Sequence, residues 1–289
     1  MTVLAAVMDA RRRAWKGRVR GRGLSTLGWC SAAALTAVAL LAALGPVLVV
    51  TDPNAVDLSG AFADPSSGHL LGQDASGRDL FSRLMSGART SVVGPLLVVA
   101  ISTTAGTALA LAAVWIGGWF DTVVARTIDA VFAFPGLLLA ILATAIFGAG
   151  LQGAVVALSI SYTPYIARIA RSAALRERSL PYVAALRVQG LRGTAISLRH
   201  ILPNIAGLIW ANATLSFGFA LIDIASLSFI GLGVQAPTAD WGAMVGSGMA
   251  GIMQQQPQEA LWASLLIVIT VAAANSLGDE LIKRSEARA

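Results

Sequence analysis

Charged side chains are scarce in this sequence. They make up 12% of its 289 residues, about half the roughly 25% usual in soluble globular chains. Beside a hydrophobic content of 56%, that is too little to cover the surface of a soluble domain, and lipid removes the need. The single cysteine, Cys30, lies in an apolar run and excludes a disulfide within the chain. There are two histidines, His69 and His200, and no His–Cys cluster at metal-ligand spacing, so no metal is expected. One apolar-embedded thiol and two distant histidines make no nucleophile–base pair. The phosphate-binding pattern G-x-x-x-x-G-K-[ST] is missing, so this chain is expected to bind no ATP or other cofactor itself. Its 29 glycines are dispersed through apolar segments, where close helix packing uses them.

What the sequence has in abundance is uncharged runs. A helix rises about 1.5 Å per residue, so roughly 20 apolar residues cross about 30 Å of hydrocarbon. Residues 24–51 and 90–120 carry no charge. Residues 130–167 are also uncharged but too long for one crossing, and they break at Phe147-Gly148-Ala149-Gly150, where glycines permit a turn. Residues 205–232, interrupted by Asp223, and 260–278 complete a predicted set of six transmembrane helices. The first run is longer than the 7–15 residues of a signal-peptide core, so it is read as an uncleaved anchor.

The net charge of +6 could suggest nucleic acid, but its placement argues for membrane orientation. Arg11, Arg12, Arg13, Lys16, Arg18, Arg20 and Arg22 precede the first span. With six crossings, Arg126, the seven arginines of residues 168–199, and Lys283, Arg284 and Arg288 share that side, and the other side keeps only Arg78, Arg83 and Arg89. The positive-inside rule then puts both termini in the cytoplasm, with no nucleic-acid partner. The expected organisation is a cytoplasmic basic tail (1–23), a first transmembrane helix (24–51), an external loop (52–89), a five-helix core (90–282) and a cytoplasmic C-terminal tail (283–289). The basic N-terminal tail suits contact with membrane lipid.

The loop 168–204 is too long for a connector between packed helices, which usually takes about 2–8 residues. Pro181 followed by Ala184, Ala185 and Leu186 predicts a short helix stopped by Gly190. A second short helix is expected from about Gly193 to Leu202, with Pro203 in the first turn of the fifth span. Two arginine-studded helices at a bend form either an interfacial amphipathic element or a knob for a partner's groove.

This loop resembles the coupling loop of binding-protein-dependent ABC import permeases. Tyr182-Val183-Ala184-Ala185-Leu186 stands where the family shows Y-V-E-A-A, Gly190 matches its glycine, and His200-Ile201-Leu202-Pro203-Asn204 its H-I-L-P-N ending. The family acid is Ala184 here and its second alanine Leu186. Docking is therefore expected to rest on shape and apolar contact, with Arg187 and Arg192 as charge contacts.

The external segment HLLGQDASGRD is similar to the H-x-L-G-T-D-x-x-G-R-D of the dipeptide, oligopeptide and nickel branch, with His69, Leu71, Gly72, Asp74, Gly77, Arg78 and Asp79 in register. Two carboxylates and an arginine among glycines suit a tight, internally hydrogen-bonded turn. The favoured roles are a structural clasp or a surface for the solute-binding protein; a metal site at His69, Asp74 and Asp79 is the weaker alternative. Asp129 with Phe134-Pro135, the run Ala225 to Gly233 with Trp241-Gly242, and Asn275-Leu277-Gly278-Asp279 resemble three further family motifs in order. Where relatives carry Glu before A-S-L, this chain has Ile224, with Asp223 one residue earlier. An ionisable group within a span is a functional candidate. Asp223, with Ser226, is expected either to line a translocation path or to pair with a neighbouring helix.

The resemblance covers about residues 61–282 and implies an all-α membrane protein with the type I ABC importer permease fold, corresponding to the C-type subunit. It implies a pore-forming subunit of an ATP-driven importer for di- or oligopeptides in a bacterial inner membrane. The implied partners are a second homologous permease, two ATP-binding subunits that carry ATP and Mg, and an extracytoplasmic solute-binding protein. A nickel or metal-chelate importer is the alternative within the family. A secondary transporter and an intramembrane enzyme are the readings outside it, disfavoured because no inverted repeat and no catalytic set is found.

Overall fold

The computed structural model describes residues 24–49 and 51–288, with side chains as far as residue 285. The expected basic tail, residues 1–23, lies outside the described residues. The described chain is helical, with no strand ladder among the described residues. Helix α1 spans Thr26–Leu48, α2 Leu80–Ile116, α3 Gly118–Phe132, α4 Gly136–Phe147 and α5 Leu151–Arg178. The short α6 spans Pro181–Val188, and one continuous helical run, α7, extends over Gly193–Phe229. Helices α8 (Trp241–Ser247) and α9 (Met249–Met253) precede the last, α10 (Gln258–Arg288).

Among the described residues, four helices are long and apolar enough to cross a membrane: α1, α2, α7 and α10. The pair α3 and α4 makes a fifth if counted together, although the two halves meet at 90°. The six-crossing count therefore does not emerge from length and composition. Helix α5, at 28 residues, is about 42 Å long, but four arginines and a run of Ser, Thr and Tyr dilute its apolar character.

Three expected boundaries need correction. Helix α2 begins at Leu80, ten residues before the uncharged run at Thr90, because Asp79 caps it: the Asp79 carboxylate accepts from Ser82 N at 2.8 Å. Arg83 and Arg89 thus sit on the helix instead of in the external loop. Helix α5 runs on to Arg178, absorbing the start of the expected loop 168–204, since arginine is a good helix former whose stem lies along apolar surface. The expected second coupling helix is no separate element: Gly193–Ile196 passes through a π-helical turn, Ser197–Ile201, straight into the apolar helix. Pro203 does not interrupt it because it occupies the first turn after the π segment.

Three apolar clusters follow one another along the bundle. One joins Leu80, Leu84 and Val92 of α2 to Trp241, Met244 and Ala263. The second packs Val98 against Ala154, Leu158, Ala220 and Ile224. The third gathers Ala110 and Val114, Ala170 and Ala174, Val183, Ile196 and Ile201. Alanine and glycine let the backbones approach: a Cβ on Gly106 of α2 would meet Thr163 O of α5 at 2.8 Å. The third cluster lies at the arginine-rich end of the bundle, the first at the opposite end.

Candidate functional site

At the arginine-rich end, Leu180 is extended (φ −73°, ψ 146°), as the residue before a proline should be, and Pro181 opens α6 where no N–H is needed. Gly190, two residues past the helix, has φ +82°, the left-handed conformation that ends a helix at low steric cost. Val183 is buried in the third cluster and Tyr182 and Leu186 pack against it. That leaves Ala184, Ala185, Arg187 and Val188 exposed on the outward face, Val188 at 89%. His200 is half-buried in the π turn, and Pro203 is exposed.

The base of this protruding helix is tied down by groups that the sequence did not single out. Tyr182 donates its hydroxyl to Glu177 Oε1 at 2.8 Å, and Asn204 Nδ2 donates to the same oxygen at 2.7 Å. One carboxylate thus joins the end of α5 and the start of α6 to Asn204, just past the π-helical turn of α7. Burial first, and the Glu177 hydrogen bond second, push the Tyr182 hydroxyl up to about 12, so it remains a donor throughout the physiological range. Glu177 is turned inward and restores no acid to the exposed face of α6. Arg171 clasps Asp121 with two hydrogen bonds of 2.6 and 2.5 Å, linking α5 to α3.

The opposite end is built from buried carboxylates. Asp74, 1% exposed, accepts from Ser76 N (2.8 Å), Arg78 N (2.9 Å) and Arg78 Nε (2.6 Å), and its Oδ2 lies 3.6 Å from Arg83 Nε. Gly72 and Gly77 bracket this turn with φ of +82° and +71°. Asp79 also holds His69, whose Nδ1 is 3.1 Å from its Oδ1. His69, Asp74 and Asp79 do not converge on a common point: among the described residues no group of three or more His, Cys, Asp or Glu side chains could hold a metal ion.

Beside the clasp, Ser91 donates to Asp240 Oδ2 at 2.7 Å while its hydroxyl oxygen accepts from Trp241 N at 2.8 Å. The Trp241 indole, fully buried, donates to Leu84 O at 3.0 Å, and Asp240 caps α8 through Ala243 N at 3.1 Å. Burial holds the Asp240 carboxyl above the ordinary aspartate range, against the Ser91 hydrogen bond. Within the bundle, Asp223 is half-buried on α7 and accepts from Tyr162 of α5 at 2.7 Å. Ser226 is half-buried one turn further along. Ile224, at the position of the family glutamate, is buried in the second cluster.

Residues 102–289 match the family model of the binding-protein-dependent transport system inner membrane component. The chain belongs to that family. It is 42% identical over 217 residues to the glutathione transport system permease protein GsiD of Pectobacterium atrosepticum, covering 75% of this chain and 72% of the relative. It is 36% identical to the dipeptide transport system permease protein DppC of Alkalihalophilus pseudofirmus, over 86% of this chain and 81% of the relative. A putative peptide transport system permease protein of Brucella suis is 38% identical, with coverages of 86% and 83%. Among solved structures, a chain of the MetNI methionine ABC transporter superposes with a TM-score of 0.57 at 18% identity, over 70% of this chain and 96% of that one. The fold is therefore the type I ABC importer permease fold.

In this family member, α6 presents a free surface at the arginine-rich end, while the carboxylates of the acidic clasp are answered from within the chain. The sequence had named Asp74, Arg78 and Asp79 but missed Arg83 and Glu259, which lie on α2 and α10. Glu259 is 5% exposed and accepts from Ser247 at 2.6 Å. The Ser91–Asp240 bond bridges 149 positions; its one local signal was an acid immediately before Trp241-Gly242.

Proposed function

We propose that this chain is one of two pore-forming permease subunits of an ATP-driven importer for di- or oligopeptides, working by alternating access in a bacterial inner membrane. The observation that carries the proposal is α6. It is a short helix pinned at its base by Glu177, Tyr182 and Asn204, with Ala184, Ala185, Arg187 and Val188 turned outward. A rigid base with an exposed, mostly apolar face is what a helix inserted into a partner's groove requires. The arginine-rich end faces the cytoplasm on the positive-inside rule, so α6 meets the ATP-binding subunits, where ATP and Mg are held. Six crossings are then assigned by counting α5 and the bent α3–α4 pair. Closure of the ATPases pulls α6, and the bundles rock toward an outward-open state that accepts solute from a binding protein.

The relatives named for glutathione, dipeptide and peptide transport support a peptide as the solute. The nickel alternative has only the shared outer motif, and a secondary transporter does not fit membership of a binding-protein-dependent family. Asp223, with the Tyr162 hydroxyl and Ser226, is proposed to face the path; Asp223→Asn should assemble normally and slow uptake severalfold, whereas normal transport would remove it from the path. The reading as a whole is tested by purifying the tagged chain in mild detergent and identifying its partners by mass spectrometry. A second permease and ATP-hydrolysing subunits are expected. Recovery of the chain alone, even after cross-linking, would overturn the reading.

A further inference from the structure

Helix α2, at 37 residues, is about 55 Å long and runs the full depth of the bundle to the base of α6. Its penultimate residue is Trp115. The Arg178 guanidinium of α5 lies 5.3 Å from the Trp115 ring centroid, and the Arg187 guanidinium of α6 lies 5.0 Å from it. Gly193, the first residue of α7, stands against the indole edge: a Cβ there would overlap Trp115 Cε2, Nε1 and Cζ2. Arg178 also donates to the carbonyl of Val114, in the last turn of α2. That turn has no basic residue of its own, so a cation from α5 answers its unpaired carbonyls. One half-buried aromatic therefore touches the ends of α5 and α6 and the start of α7.

We propose that Trp115 is the positioning residue through which displacement of α6 reaches α2, and through it the transmembrane bundle. The inference rests on the importer reading. Arg187 is on the exposed helix that would meet the ATPase, so any movement of α6 drags a cation held over the indole face. Arg178 makes a second cation contact with the ring and ties the same turn of α2 to α5 through the Val114 carbonyl. Gly193 leaves no space on the third side, so the ring moves as a wedge with α2. The Glu177–Tyr182–Asn204 bonds join α5, α6 and α7 to one another but not to α2; beside the apolar contacts of Ala110 and Val114 in the third cluster, Trp115 is where the α6 cation meets α2. The role is mechanical: Trp115 is expected to touch neither nucleotide nor solute.

The test uses the whole complex, with its partner permease and ATPases, in proteoliposomes with the binding protein and a dipeptide. Solute moved per ATP hydrolysed is compared at equal amounts of assembled complex. Trp115→Ala should lower that ratio about tenfold, the order expected when two cation–π contacts are lost together. Trp115→Phe, which keeps an aromatic face, should retain most of it. Gly193→Ala should mimic Trp115→Ala by displacing the indole. The double variant Gly193→Ala with Trp115→Phe should recover at least half the ratio, because the smaller ring vacates the space of the new methyl. A merely structural role would lower the yield of complex and leave the ratio unchanged. An unchanged ratio in Trp115→Ala, or no recovery in the double variant, would overturn the proposal. If Trp115→Ala does not assemble, the Gly193→Ala pair decides alone. Failure of the wild-type complex to couple ATP to uptake would instead overturn the importer reading itself.

Discussion

The two ends of this molecule use polar groups in opposite ways. At the clasp end, Asp74, Asp79, Asp240 and Glu259 are each 5% exposed or less, and each is answered from within the chain. At the arginine-rich end the ion pairs lie partly in the open: Arg168–Asp129 is 53% and 61% exposed, and Arg171–Asp121 27% and 23%. Exposed pairs contribute about 0–1 kcal/mol, whereas breaking a buried one strands a charge at about 3–5 kcal/mol. The first end is therefore built for shape and the second for contact. The clasp fixes how the segment ahead of α2 sits on the bundle; the arginine-rich end keeps α6 available.

Removing a clasp carboxylate should break this contrast most visibly. Asp74→Ala leaves Arg83 buried without its nearest acid, and should cost about 3–5 kcal/mol, read as a large drop in Tm in detergent. A loss under about 1 kcal/mol would mean that solvent reaches Arg83 and the clasp is looser than its geometry. Next comes Asp240→Ala, which removes the α8 cap and the acceptor of Ser91 together, for about 2–3 kcal/mol. Its pH dependence sharpens the comparison. Burial raises the folded-state pKa of Asp240 above its unfolded value, so the protonated carboxyl adds stability at low pH, and that contribution is lost as pH rises through the folded value. The Tm difference between wild type and Asp240→Asn should shift against the wild type as pH rises above the ordinary aspartate range. A pH-independent difference would show Asp240 to be solvated. The smallest effect on stability belongs to the other end: Val188→Asp should change folding by no more than about 0.5 kcal/mol, yet sharply reduce ATPase recovery in co-purification. Undiminished recovery would place the docking surface elsewhere.

How much of this was legible in the sequence depended on distance along the chain. Pro181 and Gly190 bounded α6 correctly because proline geometry and a positive φ are local demands. The turn at Asp74 and the cap at Asp79 were readable for the same reason, since donors and acceptors lie within a few residues. Ser91–Asp240, Glu177–Asn204 and Trp115 were not readable, because each acquires its meaning from a partner 27 to 149 positions away. The break between α3 and α4 shows the limit from the other side. Hydropathy sees an uninterrupted apolar run through residues 130–147, but Pro135 bars a continuing helix at Phe134 and turns the chain by 90°. Conversely, Gly193 to Leu202 looked like an isolated helix because its arginine and histidine mask an axis that the backbone carries straight into the fifth apolar run.

That right angle has an electrical consequence. Helix α3, with 15 residues, is about 22 Å long and α4, with 12 residues, about 18 Å, so neither half insulates a bilayer alone. Helix α4 starts without a side-chain cap, leaving its first N–H dipoles directed at the elbow. Phe134, Leu137 and Leu138 are exposed around it. Bare amide dipoles at membrane depth are tolerated only against protein or water. The uncapped start of α4 and the exposed Phe134, Leu137 and Leu138 therefore make the elbow a face that calls for protein or water against it.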